Sequence, residues 1–257
     1  TLDELSGGRV VLGLGTSGDR VIEHWHGDKF AKPIQRTKEY IEIINMIVSG
    51  EKLFYDGQIF KLQRGFKLLF EPPRKHIPIY VASISPKSMQ SLATVADGWM
   101  PIYWPKSKFM DGKKMIGEAS KAAGRPEDAV ECVASLTVVI NPDEQKAKMQ
   151  AAGPISWYVT NMGDFYHEML TRNGFGEEVA AMRKVAETHK PPPFGTNPEL
   201  MAAMGDRMLE ETAIWGDLET VAAGIEERRQ LGVDLPSISM PQGPLDHVER
   251  VLGTLVS

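Results

Sequence analysis

The sequence predicts an α/β protein built on a parallel sheet, and three observations carry that expectation. Short apolar runs of strand character alternate with amphipathic helical patterns along most of the chain. One of those runs, IPIYVAS at 77–83, is apolar without a polar face, as a strand covered on both sides should be. The length of 257 residues, with 42% hydrophobic and 25% charged side chains, suits one globular domain, and a (β/α)8 barrel uses about 250 residues.

The elements follow in order. TLDELSGG reads as the end of a helix stopped at Gly7 and Gly8, followed by a strand over 10–15. Pro33 opens a long helix whose Ile34, Ile41, Ile44 and Val48 share one stripe, and Gly50 closes it. Alternation around Asp56-Gly57 predicts a hairpin insertion near 54–70. After the strand at 77–83, Ser85-Pro86 supplies a cap and a first-turn proline for a helix to about Ala96. Asp97-Gly98 then turns into a strand over 99–104, a Lys-rich helix over 106–123 and a strand over 130–140. A helical insertion near 142–210 is broken by Gly153-Pro154 and by Pro191-Pro192-Pro193. Asp217 caps a helix with Leu218, Val221, Ala222 and Ile225 on its apolar stripe, and the final strand covers 235–240. No repeat, low-complexity tract or linker interrupts 1–257, so one domain is expected.

Composition excludes several functions. No apolar run approaches the roughly 20 residues of a membrane-spanning helix. Twenty-nine Lys and Arg against 34 Asp and Glu give a net charge of −5, which disfavours nucleic acid as a partner and points to small molecules or further copies of the chain. The only cysteine, Cys132, excludes an internal disulfide and fits the reducing cytoplasm. Five core strands are visible where a closed barrel needs eight. Three βα units, about 90 residues, are therefore expected upstream of Thr1 in an N-terminally truncated barrel, and a complete five-stranded doubly wound sheet is the alternative.

Four segments could carry chemistry. Gly13-Leu14-Gly15-Thr16-Ser17-Gly18 leaves the end of a strand, where small residues admit a ligand to the backbone and the Thr16 and Ser17 hydroxyls offer donors; the spacing is not that of a Rossmann turn, and a plain strand-to-loop turn is the alternative. Ser83, Ile84 and Ser85, followed by Lys87, join a strand to a helix start, a geometry that suits phosphate but also describes a plain cap. Lys106 and Lys108 follow the next strand and would lie on the same rim if the strands run parallel, or they are simply solvated. In EHWHG, His24 and His26 lack a third metal ligand at recognisable spacing, so no metal is expected; Trp25 and His26 are read as lining an apolar pocket.

LSGGRVVLGLGTSGDRVIEHWHG, FAKPIQRTKEYIEII and IPIYVASISPKSMQSLATVADGWMPI together resemble the bacterial luciferase-like superfamily, in particular its coenzyme F420-dependent oxidoreductase branch. Segment 158–176, YVTNMGDFYHEMLTRNGFG, is also similar to methylenetetrahydromethanopterin reductase-like members. The resemblance implies a (β/α)8 TIM barrel, with 10–15 as its fourth strand, 235–240 as its eighth and the cofactor at the C-terminal strand ends. It implies that Gly15, Thr16, Ser17 and Gly18 border the ring or ribityl chain and that Ser83, Ile84 and Ser85 hold the phosphate, with Lys106 or Lys108 assisting. It further implies hydride transfer between F420 and a small organic substrate, with Trp25 and His26 at the substrate mouth, His26 as proton donor, and a homodimer. An FMN-dependent monooxygenase and a non-catalytic flavin-binding protein are the alternatives. Asp97-Gly98-Trp99 matches a family signature and reads as structural; Met162, Phe165, Tyr166 and Met169 suit either the substrate pocket or a core stripe.

Overall fold

The computed structural model describes residues 1–239 and 245–255. The chain divides into two compact units, one of residues 1–100 with 114–131 and the other of residues 101–113 with 132 onward.

The first unit begins with α1 (Leu2–Leu5), which Gly7 and Gly8 end with positive φ. Asp3 on this helix is buried, accepts from Val10 N and pairs with Arg74 at 2.7 Å, fixing where β1 (Leu12–Gly15) starts. Next come α2 (Asp19–His24) and α3 (Pro33–Val48), the latter opened by Pro33 as expected. The hairpin insertion forms as β2 (Tyr55–Asp56) paired antiparallel with β3 (Lys61–Leu62). Its turn lies on α3, where the Glu39 carboxylate accepts the N–H groups of Gln58, Ile59 and Phe60. A Cβ at Gly57 would come within 2.3 Å of that carboxylate, so only glycine fits there.

β4 (Ile79–Ala82) pairs parallel with β1, Leu12 facing Ile79 and Gly15 facing Ala82. Leu12, Leu14, Ile79 and Val81 pack with Ile41, Leu92 and Ala96 in this unit's core. The helices contributing are α3 and α4 (Pro86–Leu92). The short β5 (Gly98–Trp99) pairs with Tyr80 and Val81. It is shorter than the strand expected over 99–104, because Pro101 brings no N–H and Tyr103 turns into the left-handed region; beyond Trp99 only an isolated bridge remains, Ile102 to Ser135. The Lys-rich helix forms as a 3-10 turn over Lys106–Lys108 followed by α5 (Phe109–Ala122).

In the second unit β6 (Glu131–Ile140) pairs along its length with two strands, both parallel. Its residues 137–140 meet β7 (Ala213–Gly216) and its residues 133–136 meet β8 (Leu235–Ile238). β7 was not expected from sequence. Met240, at the end of the expected last strand, lies outside the described residues. Between β6 and β7 stand α6 (Glu144–Asn161), α7 (Phe165–Leu170), a π-turn over Thr171–Phe175, α8 (Gly176–Ala186) and α9 (Pro198–Thr212). The break expected at Gly153-Pro154 is corrected: α6 runs through it, held by the buried Ala147, Ala151, Ala152, Ile155 and Val159. Asp217 caps α10 (Leu218–Gln230) by accepting from Thr220 N, and α11 (Leu245–Leu255) follows. Ile214, Val221, Ile225, Val251 and Leu255 form the core of this unit with Leu136 and Val138. Among the described residues no helix is long and apolar enough to cross a membrane.

Candidate functional site

Parallel pairing of β1 with β4 brings two of the sequence-predicted segments to one rim. Because Gly15 is the register partner of Ala82, the loop Thr16-Ser17-Gly18 leaves the sheet beside Ser83-Ile84-Ser85. Residues alternate across the two strands: Leu12, Leu14, Ile79 and Val81 face the helices, while Gly13, Gly15, Tyr80 and Ala82 take the other face, where Tyr80 is half-buried and the other three are exposed. Past the Tyr80 ring, the paired Gly15 and Ala82 leave room on this face at the strand ends. A Cβ added at Gly15 would sit 3.7 Å from the Ala82 methyl, occupying that room without a clash.

Hydroxyls gather at the end of β4. Ser83 is 5% exposed and its Oγ lies 2.5 Å from Ser88 Oγ. Ser85 caps α4, accepting from Ser88 N at 3.2 Å and donating through its hydroxyl to Ser88 Oγ at 2.9 Å. Pro86 brings no N–H and Ser88 N is taken, so the remaining first-turn donor is the amide of Lys87, whose side chain is exposed. The Asp97-Gly98-Trp99 turn is structural, as expected, yet it also sets this loop. Asp97 accepts from Ile79 N, Gly98 lets the Tyr80 ring approach, and the buried Trp99 indole donates to Ser83 O at 2.7 Å.

Across from this, Ser17 holds a left-handed backbone with φ 55°, and Thr16 Oγ1 donates to Ser17 O. A left-handed serine is a conformation that surrounding structure must enforce. The loop leads into α2, after which Trp25 and His26 stack at 6.1 Å between ring centroids. Trp25 is 82% exposed and His26 is exposed too, so the two project from the surface of the unit and do not line a pocket among the described residues. Among those residues no three His, Cys, Asp or Glu side chains gather as a metal site.

Lys106 belongs to the second unit, where its Nζ donates to Glu227 at 2.7 Å; Lys108 stands 3.5 Å from Asp111. Their positive charge is thus matched by carboxylates. That unit also holds side chains the sequence reading did not bring together. Tyr103, 4% exposed, has Tyr158 at 5.3 Å and Tyr166 at 5.9 Å, all edge-on. Of the helical residues named from sequence, Met169 is fully buried, Phe165 is partly exposed, and Tyr166 joins this cluster. No local signal could have found Tyr103, which lies 55 positions before Tyr158.

A family model described as luciferase-like monooxygenase matches residues 1–235. The chain belongs to the luciferase-like monooxygenase family. Membership makes it an α/β protein of the family's TIM-barrel type and an enzyme of the luciferase-like oxidoreductase kind. A Mycobacterium tuberculosis protein provisionally named a coenzyme F420-dependent oxidoreductase, Rv3520c, is 30% identical over 250 residues, covering 91% of this chain and 69% of that protein. The 5,10-methylenetetrahydromethanopterin reductase of Archaeoglobus fulgidus is 31% identical over 245 residues, covering 95% and 71%. Among solved structures, coenzyme F420-dependent tetrahydromethanopterin reductase from Methanopyrus kandleri superposes with a TM-score of 0.73 at 22% identity, covering 97% of this chain and 74% of its own. The chain thus spans about seven-tenths of the length of each of these family members.

Proposed function

We propose that the protein is an oxidoreductase that moves a hydride between coenzyme F420 and a small organic substrate. The observation that carries the reading is the β1–β4 rim, in a chain about 30% identical to relatives whose names specify F420 or a methanopterin reduction. The donor set suits the group: the small Gly15 and Ala82 at the strand ends would leave room for a planar ring, and neutral hydroxyls with one lysine would suit a phosphodiester chain. Gly15, Thr16, Ser17 and Gly18 would hold the ring side, and Ser83, Ile84 and Ser85 the phosphate, with Lys87 adding charge. When bound, the deazaflavin supplies the hydride-accepting and hydride-donating carbon. The chain's own contribution is to bind and orient. The Trp99 indole fixes the Ser83 carbonyl and Ser88 fixes the hydroxyl directions of Ser83 and Ser85, while the small residues at the end of β1 would leave space for the ring. His26 is the proposed proton donor and Trp25 its neighbour at the substrate mouth, supported by their exposed, mutually stacked rings at the end of α2, the helix that follows the Thr16-Ser17 loop in the chain.

A homodimer belongs to the same proposal, supported by the near-complete exposure of Phe66 and Leu69 on the hairpin insertion, and sedimentation velocity tests it. A single cysteine supports a place in the reducing cytoplasm. The activity test is anaerobic oxidation of reduced F420 in the presence of a panel of ketones, aldehydes, enones and reduced-pterin precursors. Substrate-dependent oxidation is the expected result. Turnover with reduced FMN and oxygen, and none with F420, refutes the reading in favour of a monooxygenase.

A further inference from the structure

The hairpin insertion of the first unit builds a cleft that the proposed cofactor rim does not use. β2 and β3 pair Tyr55 with Leu62, and beyond them Leu53 N donates to Phe66 O at 3.0 Å. Between those two pairings the first strand has one residue, Phe54, and the returning strand has three, Gln63, Arg64 and Gly65, so the returning strand bows outward. Gly65 holds the bow close to its partner, because a Cβ there would collide with the Leu53 carbonyl oxygen. Beside the bow lies an open cleft of about 500 Å³, within the roughly 300–1,000 Å³ of small-molecule sites. Ile47, in the last turn of α3, lines it with Leu53, Leu62 and Leu68, all half-buried, and Phe66 stands on its lining at 89% exposure. The cleft shares no residue with the rim where β1 and β4 end.

Charge on the lining has one sign. Lys61, Arg64 and Lys67 belong to it, and no Asp or Glu does. Lys61 is answered by the exposed Asp56 at 2.6 Å, whereas the exposed Arg64 and Lys67 side chains have no ion pair among the described residues. In a chain whose net charge is −5, cations gathered beside an apolar floor set a local preference for an anion. An inorganic anion would leave Ile47, Leu53 and Leu62 uncovered, and an uncharged apolar molecule would leave Arg64 and Lys67 unanswered. A guest with an anionic head and an apolar chain meets both. Of the two hairpin residues assigned above to a dimer contact, Leu69 does not line the cleft, so a contact through it does not need the cleft.

We propose that this cleft binds an amphipathic organic anion, an unbranched carboxylate whose head is held by Arg64 and Lys67 and whose chain covers Ile47, Leu53 and Leu62. The inference stands apart from the cofactor reading, since none of these residues belongs to it. The test is calorimetric titration of the wild-type protein, without F420 and near neutral pH, with decanoate below its micelle-forming concentration, and separately with butyrate and decylammonium. Saturable decanoate binding is expected, with butyrate at least tenfold weaker for want of the chain and no binding of decylammonium. The double variant Arg64→Gln/Lys67→Gln changes exposed positions; it is expected to melt like the wild type and to raise the decanoate dissociation constant about five- to tenfold. Lys67→Gln alone, with a smaller rise, provides the same test where the double variant melts early. Absence of decanoate binding, equal affinity for decanoate and either control, or variant constants within twofold of wild type would overturn the proposal. So would two results that assign the cleft elsewhere: no decanoate binding together with loss of a dimer in the double variant by sedimentation velocity, which assigns it to a second copy, or pelleting with phosphatidylglycerol vesicles and no binding of free decanoate, which assigns it to a membrane surface. Because decanoate binding is read without F420, it stands or falls independently of the cofactor proposal.

Discussion

Glu39→Gln is the substitution whose consequence the structure fixes most closely. Glu39 is fully buried on α3; Oε1 accepts Gln58 N at 2.7 Å and Gln35 Nε2 at 2.8 Å, and Oε2 accepts Ile59 N at 3.0 Å and Phe60 N at 2.9 Å. Burial by itself raises the carboxyl pKa, but the N–H of Phe60, the Gln35 amide and the N–H groups of Ile59 and Gln58 outweigh it and bring the pKa from 4.5 down to about 2. A folded-state pKa below the unfolded one means the carboxylate stabilises the fold above about pH 4.5 and loses that contribution as the pH falls toward 2. At neutral pH the difference corresponds to about 3 kcal/mol. Glutamine keeps one acceptor oxygen and turns an NH2 toward buried N–H groups, so Glu39→Gln should cost about 2–3 kcal/mol at pH 7. In a chain of this size that is a fall in melting temperature of roughly 5–10 °C. Urea unfolding of both proteins at pH 7 and pH 3 measures it, with the gap expected to narrow at pH 3. A variant within about 0.5 kcal/mol of wild type at pH 7, or a gap equal at both pH values, would refute the reasoning.

Gly98→Ala places a methyl within 2.4 Å of the Tyr80 ring and should destabilise by about 1–3 kcal/mol, read by thermal melting, whereas Gly18→Ala, with open space around its Cβ, should leave the melt almost unchanged. Ser88→Ala removes the hydroxyl that meets both Ser83 and Ser85; a loss of about 1 kcal/mol in stability is expected, together with a several-fold weaker F420 affinity by calorimetry. Ultraviolet titration should show the Tyr166 phenol ionising near pH 12 and Tyr103 later still; Tyr166→Phe removing a transition near pH 10 would contradict the burial assigned to it.

Local chemistry made some of the fold readable. Pro33 and Ser85-Pro86 mark the starts of α3 and α4, and the apolar run ending at Ala82 marks β4, because each signal acts within a few residues. β7 escaped notice for the opposite reason. Ala-Ile-Trp-Gly is too short to declare itself between α9 and the Asp217 cap, and it is extended because residues 137–140 of β6 offer it a ladder. The strand expected over 99–104 stops early where Pro101 and Tyr103 interrupt the ladder. At the candidate site, the two segments at the ends of β1 and β4 could be named from sequence, since both are loops leaving apolar runs, but their adjacency depends on strand register. The pairing of Lys106 with Glu227, 121 positions away, and the meeting of Tyr103 with Tyr158 and Tyr166 are products of tertiary packing and left no local trace. Trp25 and His26 read as lining an apolar pocket once a metal site is set aside for want of a third ligand, yet the end of α2 leaves both exposed among the described residues.

The most direct test of the central claim is calorimetric titration of the wild-type protein and of Gly15→Val with F420, and separately with FMN. The substitution adds bulk beside Ala82 at a position where a Cβ meets only the Ala82 methyl, at 3.7 Å. The account predicts saturable F420 binding by the wild type, at least tenfold tighter than FMN, and its loss in a Gly15→Val protein that melts like the wild type. Equal F420 affinity in the two proteins, or binding of FMN alone, would contradict it.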